Sequence, residues 1–358
     1  MRAWIRRHPF LSFYLLAIAF PTLLFTYLIL MEVSFPDMYG PGVGVFAKFN
    51  ANMGALLRDA PLLTQHRDSV LVYLTLYAML PLAAPFLFFP LAPTVSAIVV
   101  TGLARGGAAV RALLGAFAPK RGSLSWPEAL RIYGLLLALI VAGVASVVLL
   151  DSLLNGGRRL PQFTRVWALA DWRPFLAGWL AALFTNQGGL LEELGWRGYA
   201  WPVLARRFAS PLLAAVVLGV AWALWHLPRE IVPIASGQFD LGRLLTEQAL
   251  FIVSCIGMTV VAVSFVNLLG GSVLPAIMIH GTLNYLYLGF ETARTGVRSE
   301  MTLAPNLFWI VAALITLLVV GRDLGWRRRL ELHGGDGRSD PANAWALPAS
   351  SNTGSGTR

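Results

Sequence analysis

Eight apolar runs, each close to the length needed to cross a bilayer as a helix, decide what this chain can fold into. They lie at roughly 10–33, 70–89, 132–150, 174–194, 211–227, 244–266, 273–290 and 305–321. About 20 apolar residues at about 1.5 Å rise each span a hydrocarbon core of ~30 Å. Inside lipid every backbone N–H and C=O needs a partner, and helices supply one within the segment. Charged residues make up only 13% of the chain, against about 25% in soluble domains. The expected fold is therefore all-α: a polytopic integral membrane helical bundle of about eight transmembrane helices.

The first run follows MRAWIRRHPF and is longer than the core of a cleavable signal peptide, about 7–15 residues. It reads as a retained first span. Ser210-Pro211, Ser272 with Pro275, and Asp171 with Pro174 sign the starts of the fifth, seventh and fourth helices. Pro228 stops the fifth just after His226. The segment after Pro90 is too short to stand as a span, and extends the second one past a proline kink or lies in the interface. Asn267 is placed to cap the sixth helix.

The net charge of +10 does not point to nucleic acid, because the arginines lie between apolar runs. Arg2, Arg6 and Arg7, then Arg105, Arg111, Lys120, Arg121 and Arg131, then Arg322 and Arg327-Arg328-Arg329 fall on one side if there are eight spans. The positive-inside rule makes that side, with both termini, cytoplasmic. The loop 151–173 is also basic and weakens the bias. Cys255 is the single cysteine, so no intrachain disulfide forms. Three regions follow: an N-terminal transmembrane and basic linker region (1–130), a membrane core (131–321) and a disordered C-terminal tail (322–358).

Against this background the stretch LLEELGWRGYAWP, 190–202, stands out. An ionisable group inside a span costs about 2.5–3.5 kcal/mol on insertion scales, so it marks a functional site or a buried ion pair. Glu193 and Arg197 are four apart and share a helix face. Glu192 lies about 100° around a straight helix from Glu193 and faces elsewhere. On other runs Trp222 and His226 are four apart, as are His280 and Asn284. Measured from the adjoining turns, Glu192, His226, His280 and Asn284 lie about 20, 24, 13 and 20 Å deep. All four can share one level, reachable from the cytoplasmic side.

Such a set suits activation of water. A carboxylate out of bulk water can serve as general base, neutral imidazoles can orient water, and an amide can donate to a developing oxyanion. Glu192, His226 and His280 also form a His₂Glu set that a divalent metal such as zinc would accept. Hydrolysis of a peptide bond is the natural reaction. Each piece also has a structural account: Glu193–Arg197 as an ion pair, His226 on helix-end carbonyls, His280 with Asn284 as interhelical glue, Trp222 as packing. A non-proteolytic scaffold or a proton-coupled transporter would use these elements differently.

At these residues the chain resembles the CPBP intramembrane proteases, which include the eukaryotic CAAX prenyl endopeptidase and bacterial Abi-type proteins. Their signature is EExxxR, FxxxH and HxxxN on three helices. Here these are Glu192-Glu193-Leu194-Gly195-Trp196-Arg197, then Trp222-Ala223-Leu224-Trp225-His226 with Trp for Phe, then His280-Gly281-Thr282-Leu283-Asn284. The stretch NLLGGSVLPAIMIHGTLN, 267–284, is also similar in character, and the resemblance covers about 174–290 with an echo in 90–117. It implies an intramembrane endopeptidase acting on a membrane-associated protein or peptide, in a bacterial inner membrane. Glu192 would activate water, with His226 and His280 beside it and Asn284 as oxyanion partner. Glu193 and Arg197 would support the site or hold substrate, Trp222 would support it, and both a metal-dependent and a metal-free glutamate mechanism stay open.

Overall fold

The structure is a computed structural model that describes residues 2–34, 69–79, 84–154, 173–231, 234, 240–291 and 303–334. Its helices, in chain order, are α1 (Arg2–Arg7), α2 (Pro9–Ser34), α3 (Val70–Met79), α4 (Ala84–Arg105), α5 (Gly107–Leu114) and α6 (Trp126–Leu154). Then come α7 (Arg173–Thr185), α8 (Gln187–Glu193), a π-helical segment (Leu194–Ala200), α9 (Trp201–Arg207) and α10 (Pro211–Trp225). The last are α11 (Leu241–Leu268), α12 (Leu274–Glu291), α13 (Leu303–Val320) and α14 (Trp326–Leu332). Among the described residues the one extended pairing is an isolated bridge between Ser69 and Asn186. The chain is a polytopic helical membrane protein, as its apolar runs require.

Among the described residues, five segments are long and apolar enough to cross a membrane: Pro9–Tyr27, Phe88–Arg105, Trp126–Ser146, Pro211–Glu230 and Leu244–Leu268. Leu176–Thr185 and Asn306–Val320 are shorter apolar helices. Two expected spans need correction. The second run yields the ten-residue α3, and the long helix is α4, which carries Pro90 and Pro93 inside it. The fourth run is not one straight helix. Asn186 adopts ψ 130°, and its side chain caps a fresh helix by accepting from Gly189 N. An asparagine carboxamide offers the backbone such an alternative to continuing a helix.

The other helix starts are as signed. Ser210 accepts from Leu213 N, and Ser272 Oγ accepts from Leu274 N. α10 ends at Trp225 and a 3₁₀ turn over Leu227–Glu230 follows. Asp171 and most of the basic loop 151–173 lie outside the described residues, as does the tail beyond 334. The Asn267 side chain, placed by the sequence to cap its helix, instead accepts from Trp201 Nε1 and donates to Leu324 O, joining α9, α11 and the turn before α14.

Packing places α11 centrally, against α10 and α13, while α2 lies along α4 and α7 along α12. Inward residues such as Val261, Val263 and Val266 are fully buried, and Leu318 and Val319 on α13 stand 86% and 79% exposed. An apolar outer face is what a lipid solvent asks for. One end of the bundle gathers the N-terminus, the 106–125 connection and the C-terminal helix. Arg6 Nε donates to Ala104 O, Arg207 to Arg7 O, Ser123 N to Leu332 O and His333 Nε2 lies 2.9 Å from Gly270 O. Residues 322–334, expected within a disordered tail, are therefore folded, with Trp326, Arg329 and Leu332 buried. Local composition misses this because it cannot show the contacts that bury a charge; Arg329 lies over the Trp326 ring at 5.3 Å.

The contact between α7 and α12 depends on Gly281, whose missing side chain lets the Ala182 carbonyl oxygen sit against its Cα. Small residues are how membrane helices approach closely. Gly281→Val should therefore push the two helices apart and destabilise by about 1–3 kcal/mol or more. Thermal unfolding in detergent checks this; an unchanged midpoint would refute the contact.

Candidate active site

The site is built at the breaks in the helices. α8 is only seven residues long and ends with the two carboxylates. The π-helical segment that follows carries Arg197, and this rarer turn occurs often at functional sites. Glu192 and Glu193 are 4% and 0% exposed, and Arg197 is 0% exposed.

The carboxylates face different partners. Glu193 Oε1 accepts from Arg197 NH1 at 2.8 Å and lies 2.9 Å from His280 Nδ1. Arg197 also donates to Thr259 Oγ1 on α11 at 3.0 Å and lies 4.3 Å from the centroid of the Trp222 ring. Glu192 Oε2 accepts from Trp222 Nε1 at 2.9 Å. The expected Glu193–Arg197 pair is present. The structure also brings His280 to Glu193, a contact that spacing along one helix could not reveal.

Trp222 is more than packing, since its N–H meets Glu192. Its ring contacts both imidazoles edge-on, His226 at 5.8 Å and His280 at 5.2 Å between centroids. His226 is the C-cap residue of α10, and its Nδ1 lies 2.9 Å from Trp222 O. Trp225, Phe251 and Phe89 surround its ring. A carbonyl only accepts, so Nδ1 of His226 carries a proton. For His280 the same holds, because Glu193 Oε1, already bound by Arg197, faces Nδ1 as an acceptor.

Asn284 Nδ2 donates to Asn186 Oδ1 at 3.0 Å. Gly188 leaves a niche beside these groups. A Cβ there would lie 2.7 Å from Asn284 Nδ2 and 2.8 Å from His280 Nε2. A small polar atom over Gly188 would thus meet an amide donor and an imidazole nitrogen together. Asn186 and Thr259 were not singled out in the sequence. Asn186 had a signal, a polar Asn-Gln pair inside an apolar run; Thr259, on an otherwise apolar stretch of α11, had none.

Glu192, His226 and His280 all lie around Trp222. Among the described residues, though, no three His, Cys, Asp or Glu side chains are arranged so as to hold a metal ion. Each ring turns Nδ1 to a protein acceptor, and the two carboxylates point to different helices.

The Glu193–Arg197 pair has a measurable consequence. Taking one partner from a buried ion pair costs about 3–5 kcal/mol, whereas replacing both by apolar groups costs far less. Glu193→Gln should lower the unfolding temperature in detergent sharply, and Glu193→Gln with Arg197→Met should recover part of the loss. A double variant less stable than the single one would refute this account.

Residues 172–286, which hold all of these side chains, match the family model for type II CAAX prenyl endopeptidases, Rce1-like. A stretch of 125 residues, 35% of the chain, is 30% identical to the CAAX prenyl protease 2 of Methanococcus maripaludis. The match covers 44% of that relative, so the chain spans less than half the length of the curated protein it resembles. Over the residues that carry its polar cluster, the chain is thus similar to the CAAX prenyl endopeptidases.

Proposed function

We propose that the protein is an intramembrane endopeptidase that hydrolyses a peptide bond in a membrane-associated protein or peptide. The observation that carries the reading is the niche over Gly188, where His280 Nε2 and Asn284 Nδ2 meet within one helical turn of the buried carboxylate Glu192.

In the proposed reaction, Glu192 takes a proton from water as the water oxygen attacks the peptide carbonyl carbon. His280 Nε2 accepts the water's other hydrogen and orients it, while His226 lines the site on the far side of Trp222. The carbonyl oxygen becomes an oxyanion and receives a hydrogen bond from Asn284 Nδ2. Glu192 then passes its proton to the amide nitrogen, the C–N bond breaks, and a carboxylic acid and an amine leave. Trp222 holds Glu192 through its indole N–H, and Glu193 with Arg197 holds His280. Removing water from such a site strengthens each of these interactions. A divalent ion such as zinc would need Glu192, His226 and His280 to turn their donor atoms to one point, which they do not do among the described residues.

The substrate side follows from the charge pattern. The N-terminal helix, the 106–125 connection and α14 share the arginine-rich end of the bundle, which we assign to the cytoplasmic face of a bacterial inner membrane. The substrate then reaches the site from that half of the bilayer.

The test is cleavage of a quenched-fluorescence peptide library by detergent-purified protein, with and without a zinc chelator. Glu192→Ala and His280→Ala should each lower kcat by roughly 10²–10⁴-fold. Gly188→Ala, which fills the niche, should do so with little change in unfolding temperature. Equal activity in all variants would mean a contaminant. Activity that resists the chelator would favour the glutamate mechanism. Glu192→Ala cells with the same membrane proteome as wild type would favour a scaffold.

A further inference from the structure

Asn186 lies at the break between α7 and α8, fully buried. Its Oδ1 makes two contacts of different kinds, accepting from Gly189 N at 2.9 Å and from Asn284 Nδ2 at 3.0 Å. The first decides the second. A main-chain N–H can only donate, so the Asn186 atom that faces Gly189 is the carbonyl oxygen. That same oxygen faces Asn284, so Asn284 turns its nitrogen toward it, and the amide cannot be the other way round.

This matters because an asparagine amide is nearly symmetric in shape and its terminal torsion is broad and roughly two-fold. Flipped, Asn284 would offer its oxygen to the niche over Gly188. An oxygen there repels a developing oxyanion, and a nitrogen stabilises it. Nothing in the HxxxN spacing chooses between the two. The choice comes from a main-chain amide on the short helix that bears Glu192 and Glu193, relayed through Asn186. The same capping bond fixes the start of that helix, so the carboxylates and the oxyanion donor are set from one atom.

We propose that Asn186 is a positioning residue, which holds the Asn284 amide with its nitrogen toward the reacting carbonyl. The inference rests on the endopeptidase reading of Asn284 above.

Two substitutions separate this role from helix capping. Serine caps a helix about as well as asparagine, but is too short to reach Asn284. Aspartate keeps acceptors for both bonds. With the peptide that the wild-type enzyme cleaves, Asn186→Ser should lower kcat roughly 10- to 100-fold. KM should stay within about threefold, and the unfolding temperature should be nearly that of wild type. Asn186→Asp should retain most of kcat. In an Asn284→Ala background, Asn186→Ser should produce no further loss, since there is no amide left to orient. Asn186→Thr, which also caps, replaces the serine variant if that one does not fold.

A wild-type kcat in Asn186→Ser, or a full additional loss in the Asn284→Ala background, would overturn the proposal. A wild-type kcat in Asn284→Ala would instead remove Asn284 from the reaction, and the positioning role with it. All three results leave the endopeptidase reading intact; that reading fails on a different result, no peptide cleavage by the wild-type protein.

Discussion

A single carboxylate oxygen, Glu193 Oε1, organises the interior of this protein. It meets the Arg197 guanidinium at 2.8 Å and His280 Nδ1 at 2.9 Å, with both carboxylate and guanidinium fully buried. In a low-dielectric interior such an arrangement persists only if each charge is compensated. Arg197 finds Thr259 and the face of Trp222 as well. The π-helical segment, α10, α11 and α12 are thereby tied to α8 through polar contacts whose loss would leave a charge stranded. Trp222 serves twice, with its face toward Arg197 and its N–H toward Glu192.

The irregular backbone is the means by which these groups come together. Along a straight helix Glu192 and Glu193 diverge and Asn186 would be one more residue on the cylinder. Here the helix restarts at Asn186 and widens at Leu194–Ala200. Non-helical backbone at membrane depth is tolerated where protein buries it. The surrounding helices provide that cover: Phe13 packs edge-on against Trp196, Phe89 stacks on Trp225, and Trp225 Nε1 donates to Ala17 O. The first helices, which carry none of the polar cluster, act as a wall around it.

Glycine sets the distances. Gly189 lets the Ile277 carbonyl approach α8, and Gly188 leaves the niche into which His280 and Asn284 point. The interior of a membrane protein gains little from bringing apolar faces together, since lipid is as apolar as leucine. Close backbone approach and satisfied polar groups must supply the specificity instead. The density of both around 186–198 accounts for why this region has a defined geometry.

The sequence by itself determined the class of fold, because backbone groups in lipid leave helices as the economical answer to eight apolar runs. It also singled out Glu192, Glu193, Arg197, His226, His280 and Asn284, because charged and amide side chains are costly to bury without partners. Periodicity even paired Glu193 with Arg197, four residues apart on one face. It could not pair Glu193 with His280, 87 positions away, nor Trp222 with Glu192, since such contacts depend on how helices cross. It read Asn186 as part of a continuous span, because hydrophobicity averages over a window and one carboxamide does not interrupt it. It placed α14 in a disordered cytoplasmic tail, because composition cannot show Trp326 and the 270–271 turn beside Arg329. What the tertiary structure alone decided is direction: which atom of each ring, amide and carboxylate faces which neighbour, fixed by donors and acceptors that belong to other helices.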